Sequence, residues 1–499
     1  MVLSQFHKFV VLALVVKVSY GTPRIPDTDP IFHDVFPQYF SFGVSTGAYH
    51  HEGAWNDDGK GLSIWDYWVH NNPYAVVDGS NGDIASDAYH HIEEDVKILD
   101  HLNVRHYKFS LSWSRILPNG TGDINREGIK HYQKLLKLLN KKHIEPIVCL
   151  YNSDLPQALE DQGGFLNDNF PLWFLEYANV AFDNFGPNVK YWLTFSSPTE
   201  ICSLGYGEGS IAPGVSNGPG VNDYICGHNL LKAHAEAYHL YDEVYRSSQD
   251  GKIAIDINSV WFEPASESQC DIDAAERRQQ FQIGWFAHPI YVGDYPPLMI
   301  ETIGQLSESQ GFYDSRLPRF TRKEIQWIKD THDFFALSYF KTMLVTDNED
   351  QYYLSSPSYY SDTKADAVFY LGDDTWGIKK VILWVQKQYS NPSIFIVNNG
   401  YVSDDCTTED YDRIEYIKKI LIHIRSAMVN YGARVYGYTH YSIYDGFEWT
   451  LGYTVKLGLY AIDFNSPMRT RTPRISADYY QNLCRYGCID YPCPPRYTV

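Results

Sequence analysis

The tightest constraint on this 499-residue chain is the spacing of its apolar runs, which alternate with amphipathic helical patterns from one end to the other. Phe40–Ser45, His106–Trp113, Glu145–Tyr151 and Val189–Phe195 read as four strands, and Lys252–Ile257, Asp333–Tyr339, Ser393–Val397 and Val435–Ser442 as four more. Helical patterns fall between them at His90–Leu102, Gly128–Lys142, Leu172–Phe185, His228–Tyr245, Asp273–Phe286, Gly377–Tyr389 and Glu409–Asn430. In the second of these Ile129, Tyr132, Leu136 and Leu139 share one face; the last stops near Gly432, a natural helix terminator. Eight strands, most followed by a helix, is the arithmetic of an α/β chain folded as a single-domain (β/α)8 TIM barrel. Long insertions are expected at roughly 199 to 225 and between the fifth and sixth strands. Sites in that fold lie at the C-terminal strand ends, which directs attention to Asn152–Asp154, Ser196, Ser197, Asn398 and Tyr444–Trp449.

The ends of the chain are of a different kind. Residues 1–21 carry Lys8, a short apolar run from Phe9 to Val16, and small residues Ser19 and Gly21, the pattern of a secretory signal peptide. The run is too short to span a bilayer, and no later stretch qualifies. The expected organisation is therefore a leader (1–21), a barrel (22–483) and a Cys/Pro-rich tail (484–499), secreted and without a membrane anchor. Asn119-Gly120-Thr121 is a glycosylation sequon that fits this compartment. The same compartment permits disulfides. Cys202 and Cys226 flank a Gly-rich loop and form a plausible pair, the tail cluster Cys484, Cys488 and Cys493 is expected to contain or donate to another, and Cys149 reads as a buried thiol. A formal net charge of −20 without a Lys/Arg-rich run argues against a nucleic-acid partner. No cysteine or histidine spacing reads as a metal site, and no cofactor is expected.

Six segments carry a resemblance. FSFGVSTGAYHHEGAWNDDGKGLSIWD (40–66), HYKFSLSWSRILPNGTG (106–122), DLPQALEDQGGF (154–165), HNLLKAHAEAYHLYD (228–242), GWFAHPIYVGDYPPLM (284–299) and DGFEWTLGYTVKLGLYAIDF (445–464) resemble glycoside hydrolase family 1, the β-glucosidase and myrosinase family, over residues 37 to 483. The resemblance implies a (β/α)8 barrel and a retaining mechanism, in which one carboxyl protonates the leaving oxygen and a second, about 5–5.5 Å away, attacks the anomeric carbon. The family's T-F-N-E-P motif reads Thr194-Phe195-Ser196-Ser197-Pro198 here, and I-T-E-N-G reads Ile396-Val397-Asn398-Asn399-Gly400. The acid/base position is thus Ser197 and the nucleophile position Asn398. A hydroxyl of very high pKa does not serve as a general acid near neutrality, a role worth about 10²- to 10⁴-fold. A carboxamide is not an activated nucleophile.

Other pocket positions implied by the resemblance also differ. His50 stands for a Gln, Asn152 for a His, Ser153 for a Trp, Ser196 for an Asn, Lys108 for an Arg, Phe340 for a Tyr and Tyr441 for a Trp, whereas Glu448 and Trp449 match the pair that holds sugar hydroxyls. The expectation is a secreted, β-glucosidase-like protein without hydrolase activity, its barrel mouth able to hold a glycoside or small polar ligand through His50, Asn152, Ser196, Glu448 and Trp449. The alternative is an active glycosidase, or an enzyme of a different reaction, using relocated groups such as Glu200, Glu448 or His50. On the residues alone, Glu200 reads as a solvated loop charge.

Overall fold

The computed structural model describes residues 35–350, 354–490 and 493. The leader expected at 1–21 and most of the tail beyond residue 490 lie outside these residues. The strands are β1 (Ser41–Ser45), β2 (His106–Ser110), β3 (Glu145–Tyr151), β4 (Tyr191–Ser196), β5 (Lys252–Pro264), β6 (Phe335–Asp347), β7 (Ala365–Phe369), β8 (Ile394–Asn399) and β9 (Val435–Tyr441). Hydrogen bonding follows the order β5-β4-β3-β2-β1-β9-β8-β6, and a further β5–β6 pairing closes the ring. Every strand pair in the ring is parallel.

Among the described residues the helices around the ring include α1 (Ile92–Leu102), α2 (Arg126–Lys141), α3 (Phe170–Phe185), α4 (Asn222–Leu240), α5 (Gln269–Gln279), α6 (Gly377–Gln388), α7 (Tyr411–Tyr431) and α8 (Ile475–Tyr486). The apolar face read for α2 is buried as expected, and α7 ends at Gly432 in the left-handed conformation, φ 70°. No helix among the described residues is long and apolar enough to cross a membrane.

Two strands outgrow their expected bounds. β5 continues from Ile257 to Pro264 and β6 from Tyr339 to Asp347. Beyond the barrel wall they stay paired, and β7 adds to β6 antiparallel. The extension buries Val260, Phe262 and Val345 against Ala274 and Ala275 of α5. The segment between β5 and β6, expected as an insertion, holds α5 and further helices at Pro297–Ser309 and Arg322–Ile328.

Inside the ring, Ile147, Cys149, Leu193, Ala254, Ala336, Phe395 and Val397 form a separate apolar plug. Burial pushes the Cys149 thiol up to about 12, so it is an inert core group, as read from the sequence. Below the plug His106 of β2 ties together β1 and β9, its ring nitrogens 2.7 Å from Ser41 Oγ and 2.8 Å from Thr439 Oγ1. Gly43 makes room for that ring, because a Cβ there would lie 2.3 Å from it.

The Cys202–Cys226 disulfide forms, with Cα atoms 5.5 Å apart, and ties the segment after β4 to α4. The tail contributes Cys488–Cys493, leaving Cys484 as a buried thiol. Asn119 is exposed in a turn held by Trp113 Nε1 donating to Gly120 O at 2.8 Å.

Candidate functional site

Strand register assembles the floor of the barrel mouth. Ser45 of β1 pairs with Lys108 of β2, Ser196 of β4 with Asp256 of β5, and Ser338 of β6 with Asn398 of β8. All six side chains sit just above the apolar plug and interact with one another. Lys108 Nζ lies 2.7 Å from Asp256 Oδ2, and both side chains are almost fully buried. Ser196 Oγ donates to the same carboxylate oxygen at 2.7 Å, and Ser338 Oγ donates to Oδ1 at 2.5 Å. With the Asn398 amide oriented so that donors meet acceptors, its oxygen accepts from Lys108 Nζ at 2.7 Å, and its nitrogen donates to Ser45 Oγ and Val397 O, each at 2.8 Å. A buried ion pair is costly unless further hydrogen bonds support it, and here both partners have them.

Ser197, at the tip of β4, has left-handed backbone geometry (φ 58°, ψ 54°). Its N–H donates to Asp256 O at 3.0 Å, which pins the turn to β5. The hydroxyl belongs to a partly buried side chain with no carboxylate hydrogen-bonded to it.

The lip of the mouth is built differently. Glu448 Oε1 accepts from Tyr441 OH at 2.9 Å. Its other oxygen lies 3.6 Å from His50 Nδ1, which engages Phe447 O at 2.6 Å. The His50 ring packs on Trp449 with centroids 4.0 Å apart, and Trp449 stacks in turn on Trp65 at 4.7 Å. Burial pushes the Glu448 carboxyl up to about 8. Burial together with the neighbouring His51 holds His50 down to about 3, and burial holds His51 down to about 4. At neutral pH the lip therefore presents a largely protonated carboxyl and neutral imidazoles. Asn152 lies in the loop after β3, close enough to β1 that a Cβ on Gly47 would sit 2.6 Å from its Nδ2. Phe340 packs edge-on to Tyr441 at 6.3 Å and opens onto a cleft of about 410 Å³ also lined by Gly400, Tyr401, Val402 and Tyr416.

The structure thus splits the expected ligand residues into two sets. His50, Glu448 and Trp449 come together at the lip, whereas Ser196 is drawn into the floor network and bonds Asp256 instead of facing a ligand. Asp256 itself carried no signal from the resemblance. What marks it is a charged residue in the middle of the apolar run IAIDI, matched by Lys108 in HYKFS, 148 positions away.

Glu200 needs correction. It is not a solvated loop charge: its Oε1 accepts from Asn258 Nδ2 and Gln282 Nε2, both at 2.9 Å, and its Oε2 is sealed from solvent without a protein partner. Burial pushes this carboxyl up to about 7. The short turn of helix Pro198–Glu200, which the sequence left unassigned, swings the side chain under the rim. Among the described residues no group of three or more His, Cys, Asp or Glu side chains is placed to hold a metal ion.

Comparison with known proteins agrees with this architecture. The family model described as Glycosyl hydrolase family 1 matches residues 32–487. Myrosinase 1 of Brevicoryne brassicae is 43% identical over 461 residues, covering 91% of this chain and 99% of that protein. Lactase-like protein of Homo sapiens is 38% identical over 491 residues, covering 95% of this chain and 86% of that protein. Against the much longer lactase/phlorizin hydrolase of Homo sapiens (42% identity over 482 residues) the match covers 94% of this chain but only 25% of the relative. The solved aphid myrosinase superposes with a TM-score of 0.87 at 42% identity, over 91% of this chain and all of that one.

Proposed function

This chain is a member of glycosyl hydrolase family 1, and from that premise we propose that it is a secreted binding protein that does not hydrolyse glycosides. The observation that carries the reading is the floor network. Retaining hydrolysis needs a carboxyl and a carboxylate facing each other across the scissile bond. Ser197 and Asn398 stand at the motif positions of that pair, and the carboxylate of the floor network, Asp256, is bonded on both oxygens and paired with Lys108. A buried carboxylate paired with an ammonium and bonded on both oxygens in this way is held as a structural group and is not an activated nucleophile. The lip supports retained binding: Glu448 and Trp449 keep the family's sugar-holding residues, and solved relatives have been captured with glucose. The expected ligand is a glycoside or another small polar molecule with a face to stack on Trp449. The leader at 1–21 and a glycan on Asn119 complete the proposal of a secreted glycoprotein.

The test is a glycoside and glycan binding screen by titration calorimetry at millimolar ligand. Saturable binding that Trp449→Ala weakens supports the reading. An absence of saturable binding across the panel removes the pocket from it.

One observation favours a second reading. Glu200, three residues beyond Ser197, has a carboxyl raised to about 7 by burial and one unpartnered oxygen, a protonation range suited to a general acid if the side chain swings into the mouth. An enzyme using it would lose turnover on Glu200→Gln.

A further inference from the structure

Behind the lip, where the segments after β1, β2 and β3 meet, lies a chamber of about 10 Å³. Its walls include Glu52, Lys60, Asp66, Arg115 and Asp154. Asp66, Arg115 and Asp154 are each at most 2% exposed, and two of them are tied at one end only. Asp66 Oδ2 accepts from Lys60 Nζ at 2.6 Å and from Ser63 N and Oγ, both at 2.8 Å. Arg115 donates from Nε to Glu52 Oε2 at 3.1 Å and from Nη2 to Gly53 O and Ala54 O at 3.1 and 3.3 Å. The remaining polar atoms, Asp66 Oδ1, Arg115 Nη1 and Asp154 Oδ1, are shielded from bulk solvent and have no protein partner. Leaving such atoms unpaired is costly, and more so where the group is charged.

The geometry points to a bound-water site in this chamber, a single water that accepts from Arg115 Nη1, donates to Asp66 Oδ1 and hydrogen-bonds Asp154 Oδ1. The bonding pattern selects the occupant. A metal cation would be repelled by the guanidinium, and an anion by the carboxylates of Asp66 and Glu52. An apolar group would leave all three atoms unpaired. What fits is a neutral molecule that can both donate and accept, and the chamber holds about one water. The site has a positioning consequence. Asp154 follows Asn152 in the loop after β3, and Glu52 closes the turn that carries His50. The water therefore couples the two loops that present His50 and Asn152 to the mouth, through Arg115 from the segment after β2.

The test is a crystal structure of the full chain at a resolution that shows ordered solvent, with parallel soaks in rubidium and bromide. The expected result is one solvent peak within hydrogen-bonding reach of all three atoms, and no anomalous signal at that point in either soak. An empty chamber, a direct Arg115–Asp154 contact, or an anomalous rubidium or bromide peak would each overturn the assignment.

Discussion

The floor and the lip of the same barrel mouth spend their polar groups in opposite ways. On the floor, Lys108, Asp256, Ser196, Ser338, Asn398 and Ser45 bond one another, and the ion pair is hydrogen-bonded from both sides. At the lip, Glu448 has one oxygen held by Tyr441 and the other only 3.6 Å from an imidazole, and Trp449 is partly exposed. A self-satisfied network stabilises a fold and resists reaction, whereas an under-used one is available to a ligand. On the proposed reading the difference separates two properties that an active glycosidase combines: the floor, where bonds would be broken, serves the structure, and the lip stays open to a ligand.

The sharpest way to break this contrast is to uncouple the floor pair. Lys108→Met leaves Asp256 buried without its cation and is expected to cost about 3–5 kcal/mol in denaturant unfolding. Lys108→Met with Asp256→Asn is expected to recover most of that loss, because the second change removes the stranded charge. A small single-mutant effect would mean that the floor is not the closed unit described. At the lip the ordering reverses: Trp449→Ala is expected to weaken a ligand found by titration about 10-fold or more, the equivalent of ~1.4 kcal/mol, while stability changes less than for the floor variant.

A pH series distinguishes the regions further. Glu448 and Asp154 have carboxyls raised to about 8 by burial, so the folded chain holds protons that the unfolded chain releases near pH 4. Their contribution is present in full at low pH and is lost as pH rises from about 4 towards 8, with a slope approaching ~1.4 kcal/mol per pH unit for each group. Glu448→Gln should remove one group's share of that slope. An unchanged slope would show that Glu448 is not held protonated.

The smallest expected effect is the most diagnostic for the floor. Ser197→Glu with Asn398→Glu returns both carboxyls, yet the new group at 398 would face Lys108, whose ammonium already lies 2.7 Å from the Asn398 amide oxygen. Turnover is expected to stay at background in this variant. Strong hydrolysis would show that the floor has kept an active geometry and lacks only the two carboxyls.

Most of the barrel was legible because its strands are buried on both faces and read as apolar runs, as in IFIV at Ile394–Val397. β7 was not, since Ala365–Phe369 carries exposed Val368 and Phe369 and shows no buried periodicity. The extensions of β5 and β6 were missed because they are covered by α5, which a local window does not contain. Ser197, Asn398, Glu448 and Trp449 could be located from motifs. The Lys108–Asp256 pair could not, because its partners are 148 residues apart and meet only when β2 and β5 face across the ring. Glu200 was misjudged for the same reason: Asn258 and Gln282, which shelter it, lie 58 and 82 residues downstream.

The central claim is tested most directly by incubating the purified chain with an aryl β-glucoside and measuring release of the aryl group against a heat-killed control. The account predicts rates indistinguishable from that control. Release above it, abolished by Glu200→Gln, would contradict the claim and identify the group that performs the chemistry.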